Sequence, residues 1–208
     1  MNFFSPDSKF AQIMTSVGEM MLLNLCWIIG SLPLITIGAA NTAMYTVMGR
    51  RLRDEGSGTV VPFFKAWWSN LKMSTLFWVA QVFVSVSLSM ILFLPLPGFL
   101  KVVAGILLFL VTVLFSIIYP QLARYRNRWF PCLRNAIILL ILRLGWVLLN
   151  FLLILSPVIA FLLMPADFLR FGFVWLLFGF SAVFYLSAKL MQKILEPLES
   201  LSAGRKKK

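Results

Sequence analysis

The sequence predicts an all-α, polytopic membrane protein. The expected bundle has four clear spans, a broken or kinked N-terminal membrane helix, and cytosolic interfacial helices. Three observations predict it. Of 208 residues, 61% are hydrophobic and only 12% charged, whereas a soluble domain is about 45–50% apolar and about 25% charged. Four apolar stretches reach the length of about 20 residues that a helix needs to cross a hydrocarbon core of roughly 30 Å. The basic residues gather in alternate connections between those stretches, which is the charge pattern of an oriented membrane protein.

The first 19 residues contain Asp7, Lys9 and Glu19. They lack the basic start and apolar centre of a cleavable signal. Ser5 reads as an N-cap with Pro6 in the first turn, so the first helix is expected to be retained and to act as the insertion signal. Met20–Ile37 is uncharged, but Pro33 interrupts it and Gly38 follows; Ala39–Met48 continues as a weaker apolar helix. Two arrangements fit. Either this is one span kinked at proline, or a helix to Ser31 turns over Pro33–Gly38 and returns. Broken backbone at membrane depth requires cover from protein or a water-filled cavity. Such a break is therefore either a kink solved by packing or, as in transporters, part of a binding site.

The four clear spans are Met73–Pro95, Phe99–Tyr119, Leu144–Met164 and Phe168–Leu190. Before the first of them, the segment Val61–Lys72 carries Phe63, Phe64, Lys65, Trp67 and Trp68 after the turn-rich run Asp54–Gly58. Aromatics interleaved with lysines suit a helix lying among lipid headgroups. Pro131–Arg143, next to Trp129 and Phe130 and carrying Leu133 and Arg134, is expected to be a second interfacial or tilted helix. Each segment fits an anchor and fits a docking face for a cytosolic partner. Residues 1–208 form one integral membrane domain, with an amphipathic start and a basic tail at Arg205–Lys208.

Sixteen of the 19 basic residues fall in three clusters. Arg50, Arg51, Arg53, Lys65 and Lys72 precede the Met73 span. Arg124, Arg126, Arg128, Arg134 and Arg143 separate the second and third clear spans. Lys189, Lys193 and Arg205–Lys208 close the chain. The turns at Pro95–Lys101 and Pro165–Arg170 hold one basic residue each. Basic loops stay on the cytosolic side, so the reading is a multi-pass protein of the plasma membrane with a cytoplasmic C-terminus. The net charge of +12 is then topological and does not call for nucleic acid. Anionic lipid is the natural partner of such clusters, at about 1 kcal/mol per basic residue near the surface.

The chemistry expected of an enzyme is missing from the sequence. There is no histidine, hence no H-E-x-x-H zinc helix, and no phosphate loop or G-x-S-x-G elbow occurs. Cys26 and Cys132 are far apart in the chain and suggest neither a disulfide nor a thiolate metal site. Among the carboxylates only Glu19 could reach membrane depth, so a proton relay has little to build on. The reading is a protein without catalysis and without a cofactor. Inside the membrane the polarity is neutral: Asn24, Ser31, Thr36, Asn41, Thr42, Gln81, Ser85, Ser87, Ser89 and Asn150. Gly38, Thr42 and Thr46 share one helix face, as do Ser85 and Ser89. Small residues so spaced let helices approach closely and hydrogen-bond, within the chain or to a partner membrane protein, with a polar-solute site as the sharper alternative.

The run Asn24-Leu-Cys-Trp27-Ile-Ile-Gly-Ser-Leu-Pro33-Leu-Ile-Thr36-Ile-Gly38-Ala-Ala40 resembles the signature of the bacterial YesL family of integral membrane proteins. Further matching pieces are Arg53-Asp54-Glu55, Phe63-Phe64-Lys65-Ala66-Trp67 with Asn70 and Lys72, Tyr119-Pro120 with Leu122-Ala123-Arg124-Tyr125, and Arg134-Asn135-Ala136. Gln121 departs from the apolar residue of that pattern. The resemblance implies a family encoded beside carbohydrate ABC importers and polysaccharide-degrading enzymes of Gram-positive bacteria, and suspected of assisting sugar uptake. It supplies no catalytic residues. The E-A-A…G loop of sugar permeases is absent, so the expected role is an accessory subunit, with importer permease or ATPase subunits as partners and homo-oligomers compatible. An autonomous transporter or channel for a small neutral solute, and a membrane scaffold or regulatory protein, are the competing readings.

Overall fold

The computed structural model describes residues 9–55, 58–125 and 129–206. The segments around Ser5, Pro6 and Arg126 lie outside them. Every regular element among the described residues is helical. Five helices are long and apolar enough to cross a membrane.

Helix α1 (Lys9–Ser31) stops where Pro33 removes a backbone donor and forces Leu32 out of the helical region. A short 3₁₀ turn, Leu34–Thr36, then leads into α2 (Ile37–Arg51). The pairs Gly30–Thr36, Trp27–Asn41 and Glu19–Arg51 are nested about that turn, so α1 and α2 form an antiparallel hairpin. Of the two arrangements open to Met20–Met48, the chain adopts the one that turns and returns. Glu19 meets Arg51 and sits at the same end of the bundle as the first basic cluster.

Helix α3 (Val60–Phe93) is a single helix of 34 residues. This corrects one boundary: Val61–Lys72 is not a separate interfacial element but the first third of a span. Nothing between Lys72 and Met73 breaks a helix, so hydrogen bonding continues through the change from amphipathic to wholly apolar sequence. Helix α4 (Gly98–Arg124) keeps Pro120 inside its last turns. Helix α5 (Trp129–Leu142) is short and separate, and α6 follows over Leu144–Leu163.

The last crossing is one helical run from Gly172 that carries a π turn. A short helix α7 (Pro165–Arg170) and a single turn α8 (Gly172–Val174) precede a π-helical turn, Trp175–Gly179, before α9 (Phe180–Lys206). Gly179 is required there, because a Cβ would lie 2.8 Å from Cδ2 of the Trp175 ring.

Helix α2 is the hub. It packs against α1, α3, α4 and α9, and Ala39, Ala40, Ala43, Met44 and Met48 are fully buried. Its small residues permit this. At Gly38 an added Cβ would run into the Ser74 carbonyl and lie 2.8 Å from Trp78 Cβ, so only glycine allows α2 and α3 to meet. The outer faces of α3, α4 and α6 carry exposed Phe83, Phe93, Val102 and Leu162, as a lipid-facing surface requires.

Candidate functional site

The signature residues converge on the interior of the hairpin. Pro33 makes the turn, and the carbonyls it orphans are met. Thr36 Oγ1 donates to Gly30 O at 2.8 Å and to Pro33 O at 2.7 Å, and Trp67 Nε1 donates to Gly30 O at 3.2 Å. Trp27 Nε1 donates to Asn41 Oδ1 at 2.9 Å across the hairpin, while its ring stacks on Phe180 at 4.4 Å. Thr42 donates to Gly38 O at 2.9 Å, which leaves Ser74 to donate into Thr42 Oγ1 at 2.8 Å. Each bond satisfies a polar atom for which hydrocarbon offers no partner.

Asn24 does most to join distant parts of the chain. It is fully buried. Its Nδ2 donates to Leu176 O at 2.5 Å, and its Oδ1 accepts from Ser181 N–H at 2.9 Å. A π turn leaves backbone groups misaligned with the regular ladder, and one amide side chain from α1 supplies both a donor and an acceptor to it. A second chain runs Tyr45 O–H to Ser187 Oγ at 2.7 Å, and Ser187 to Asn150 Oδ1 at 2.6 Å. This ties α2, α9 and α6 together. Tyr119 donates to Gln81 Oε1 at 2.7 Å between α4 and α3. Sequence reasoning placed Asn150 and Gln81 in the membrane but found neither partner. Tyr45 and Ser187 gave no signal, being single hydroxyls in apolar runs.

The aromatic segment divides. Phe63 is fully buried in the core and Trp67 is bonded to α1, so both are packing residues. Phe64 and Trp68 remain exposed, Trp68 at 73%. Arg134 is exposed on α5 beside buried Cys132 and Ala136. Trp129 opens α5, but its side chain, like Arg126, lies outside the described set.

At the basic end the three-helix core opens. A cleft of about 710 Å³ lies between the end of α2, the start of α3 and the end of α4. Arg50, Lys65 and Arg124 line it with Thr46, Ser69 and Asn70, and among the described residues no carboxylate does. A neighbouring groove of about 480 Å³ shares Arg50 but is lined by Glu19, Arg51 and Asp54 as well. In the connection after α2, Glu55 receives Arg53 Nε at 2.7 Å and Nη2 at 2.8 Å. That guanidinium, with Arg50 and Arg124 near, holds the carboxyl below the usual range. Among the described residues no three carboxylate, thiol or imidazole groups come together as a metal site would need.

The hub coincides with the part of the chain that resembles known sequences. Residues 20–92 match a family model, Protein of unknown function, DUF624. The DUF624 segment begins four residues before Asn24 and ends near the close of α3. It therefore contains α2, the second half of α1, nearly all of α3, and the Gly38 contact, but not the helices that supply the π turn or Asn150. No curated protein matches the chain, and no solved structure does.

Proposed function

We propose that the chain is an accessory, non-catalytic membrane subunit that associates with a carbohydrate ABC importer and supports sugar or oligosaccharide uptake. In this reading the protein belongs with the YesL-type membrane proteins and sits in the bacterial plasma membrane with its basic end and C-terminus in the cytosol. The observation that carries it is that the YesL-like signature, Asn24–Ala40, lies inside the DUF624 match and forms the turn that leads into the packed hub. The Pro33–Gly38 break favours a structural role over a solute path of its own. Thr36 and Trp67 fill the orphaned carbonyl of Gly30, and Gly38 is closed against Ser74. Trp68 on α3 and Phe130 on α5 are exposed, at 73% and 87%, and Arg134 is exposed on the helix of Phe130; aromatics and arginine are the residues enriched at protein interfaces.

The test is photo-crosslinking from residues 68 and 130 in cells expressing the importer, followed by purification in mild detergent. Crosslinks to permease or ATPase subunits are expected. Recovery of only monomers or homodimers while importer subunits are present would overturn the proposal. Sugar flux in liposomes holding this chain alone would replace it with the transporter reading.

A further inference from the structure

We propose that the cleft between α2, α3 and α4 binds a polyol phosphate: a phosphate ester whose carrier bears free hydroxyls. The inference does not depend on association with an importer. Orientation by charge requires only that basic residues lie near the ends of spans. It does not require that cations from three different helices line one cavity. Here Arg50 comes from α2, Lys65 from α3 and Arg124 from α4, and the volume falls within the roughly 300–1,000 Å³ of small-molecule sites. Guanidinium and ammonium groups together are the usual holders of phosphate. The adjacent carboxylate, Glu55, is bound through both oxygens to Arg53. Lys65 is exposed, and it carries no ion pair among the described residues.

Three polar side chains in the remaining wall, set among apolar Pro62, Ala66, Met73, Leu122 and Ala123, have the opposite polarity of hydrogen bonding. Thr46 donates its hydroxyl proton to Thr42 O, and Ser69 donates to Ala66 O. Asn70 gives its amide protons to Ala66 O and Ser69 Oγ. What these side chains offer a ligand is therefore oxygen lone pairs, the groups that accept from alcohols. Cations near the helix ends, with acceptors one helical turn further in along α2 and α3, match a phosphate beside hydroxyls better than inorganic phosphate alone. That chemistry has two sources at a membrane surface: the glycerol-phosphate headgroup of an anionic lipid, and a soluble sugar phosphate.

The experiment uses the full chain purified in detergent and in nanodiscs. Native mass spectrometry compares retention of phosphatidylglycerol with phosphatidylcholine, and titration calorimetry compares glucose 6-phosphate with glucose and with inorganic phosphate. Selective retention of phosphatidylglycerol would identify the lipid source; preference for glucose 6-phosphate over both controls would identify the soluble one. Lys65→Gln should weaken whichever probe binds by about tenfold, the size of one charged hydrogen bond, while Lys65→Arg keeps most of it. Lys101→Gln, in the first turn of α4 at the opposite end of that helix from Arg124, should change nothing. Asn70→Leu should erase the preference for the polyol ester over inorganic phosphate. The proposal fails if neither phosphate ester outbinds its neutral counterpart. It fails equally if Lys65→Gln binds like the unaltered chain, or if inorganic phosphate binds as tightly as glucose 6-phosphate with no lipid preference. The comparison of ligands on the unaltered chain decides the matter even if a variant does not fold.

Discussion

Helices α2 and α6 invert the rule that governs soluble proteins. The first is rich in glycine, alanine, threonine and asparagine, and nine of its 15 residues are buried. The second is mostly leucine, isoleucine, valine and phenylalanine, and only Val147 and Asn150 of its 20 residues are buried. In water the greasier helix would take the centre. In a bilayer the lipid is as apolar as leucine, so burying leucine gains little, and the centre goes to the helix whose small residues permit close approach and whose polar atoms need partners. Position in this bundle is decided by shape and hydrogen bonding, with hydropathy reporting mainly that the chain is in the membrane.

The sharpest way to break that contrast is at glycine. Gly38 lies against the Ser74 carbonyl and Trp78, whereas a Cβ at Gly105 on α4 would meet nothing within 4 Å. Gly38→Ala is expected to cost about 1–3 kcal/mol, the usual scale of overpacking, and Gly38→Leu to abolish the folded hub. Gly105→Ala should be neutral or stabilising by up to about 1 kcal/mol. Unfolding in mixed micelles, followed by circular dichroism and size exclusion, measures both. Equal effects at the two sites would show that close approach of α2 and α3 does not organise the fold.

This contrast also marks how far the sequence could be read. The four clear spans were legible because length and hydropathy report immersion directly. The hairpin was open to two readings, since α2 has 15 residues, too few for the length test, and its buried face is small rather than greasy. The junction at Lys72–Met73 misled for a related reason: a change of composition marks a change of surroundings, not the end of a helix. In the candidate site, Asn24, Trp27, Thr36 and Thr42 stood out as polar or amphipathic groups in apolar runs, yet their partners did not. Asn24 bonds to Leu176 and Ser181, more than 150 positions away, and no local pattern announces such a distance. The cleft was hidden similarly, because Arg124 of the second basic cluster joins Arg50 and Lys65 of the first around one cavity only after folding.

A smaller effect is expected at Asn24, where the hub reaches out to the last crossing. Asn24→Leu keeps the branching and the number of side-chain heavy atoms and removes both bonds to the last crossing. Interhelical hydrogen bonds of this kind average about 0.6 kcal/mol in membranes and reach about 1.7, so a loss of about 1–2 kcal/mol is expected for the pair. Hydrogen exchange should show faster opening of amides near Ser181 with little change in α2 and α3. Uniform loosening would instead make Asn24 part of the hub itself, and a silent variant would show that the π turn holds without it.

The smallest effect should come where α2 leaves the membrane. Glu55 is exposed and bound by Arg53, and its carboxyl is held below its ordinary range by that bond. A carboxyl with a depressed folded pKa contributes stability that is complete above its unfolded value, about 4.3 for glutamate, and that disappears as pH falls through the folded value. The melting temperature of the unaltered chain should therefore exceed that of Glu55→Gln by a small, constant margin from about pH 8 to about pH 5, and the margin should close in stronger acid. Exposure limits its size, because water and salt screen a surface pair. A margin that persists once the carboxyl is protonated would mean that the loop is held by shape rather than charge. A margin as large as the Gly38 effect would move the organising contact from the buried face of α2 to its aqueous end.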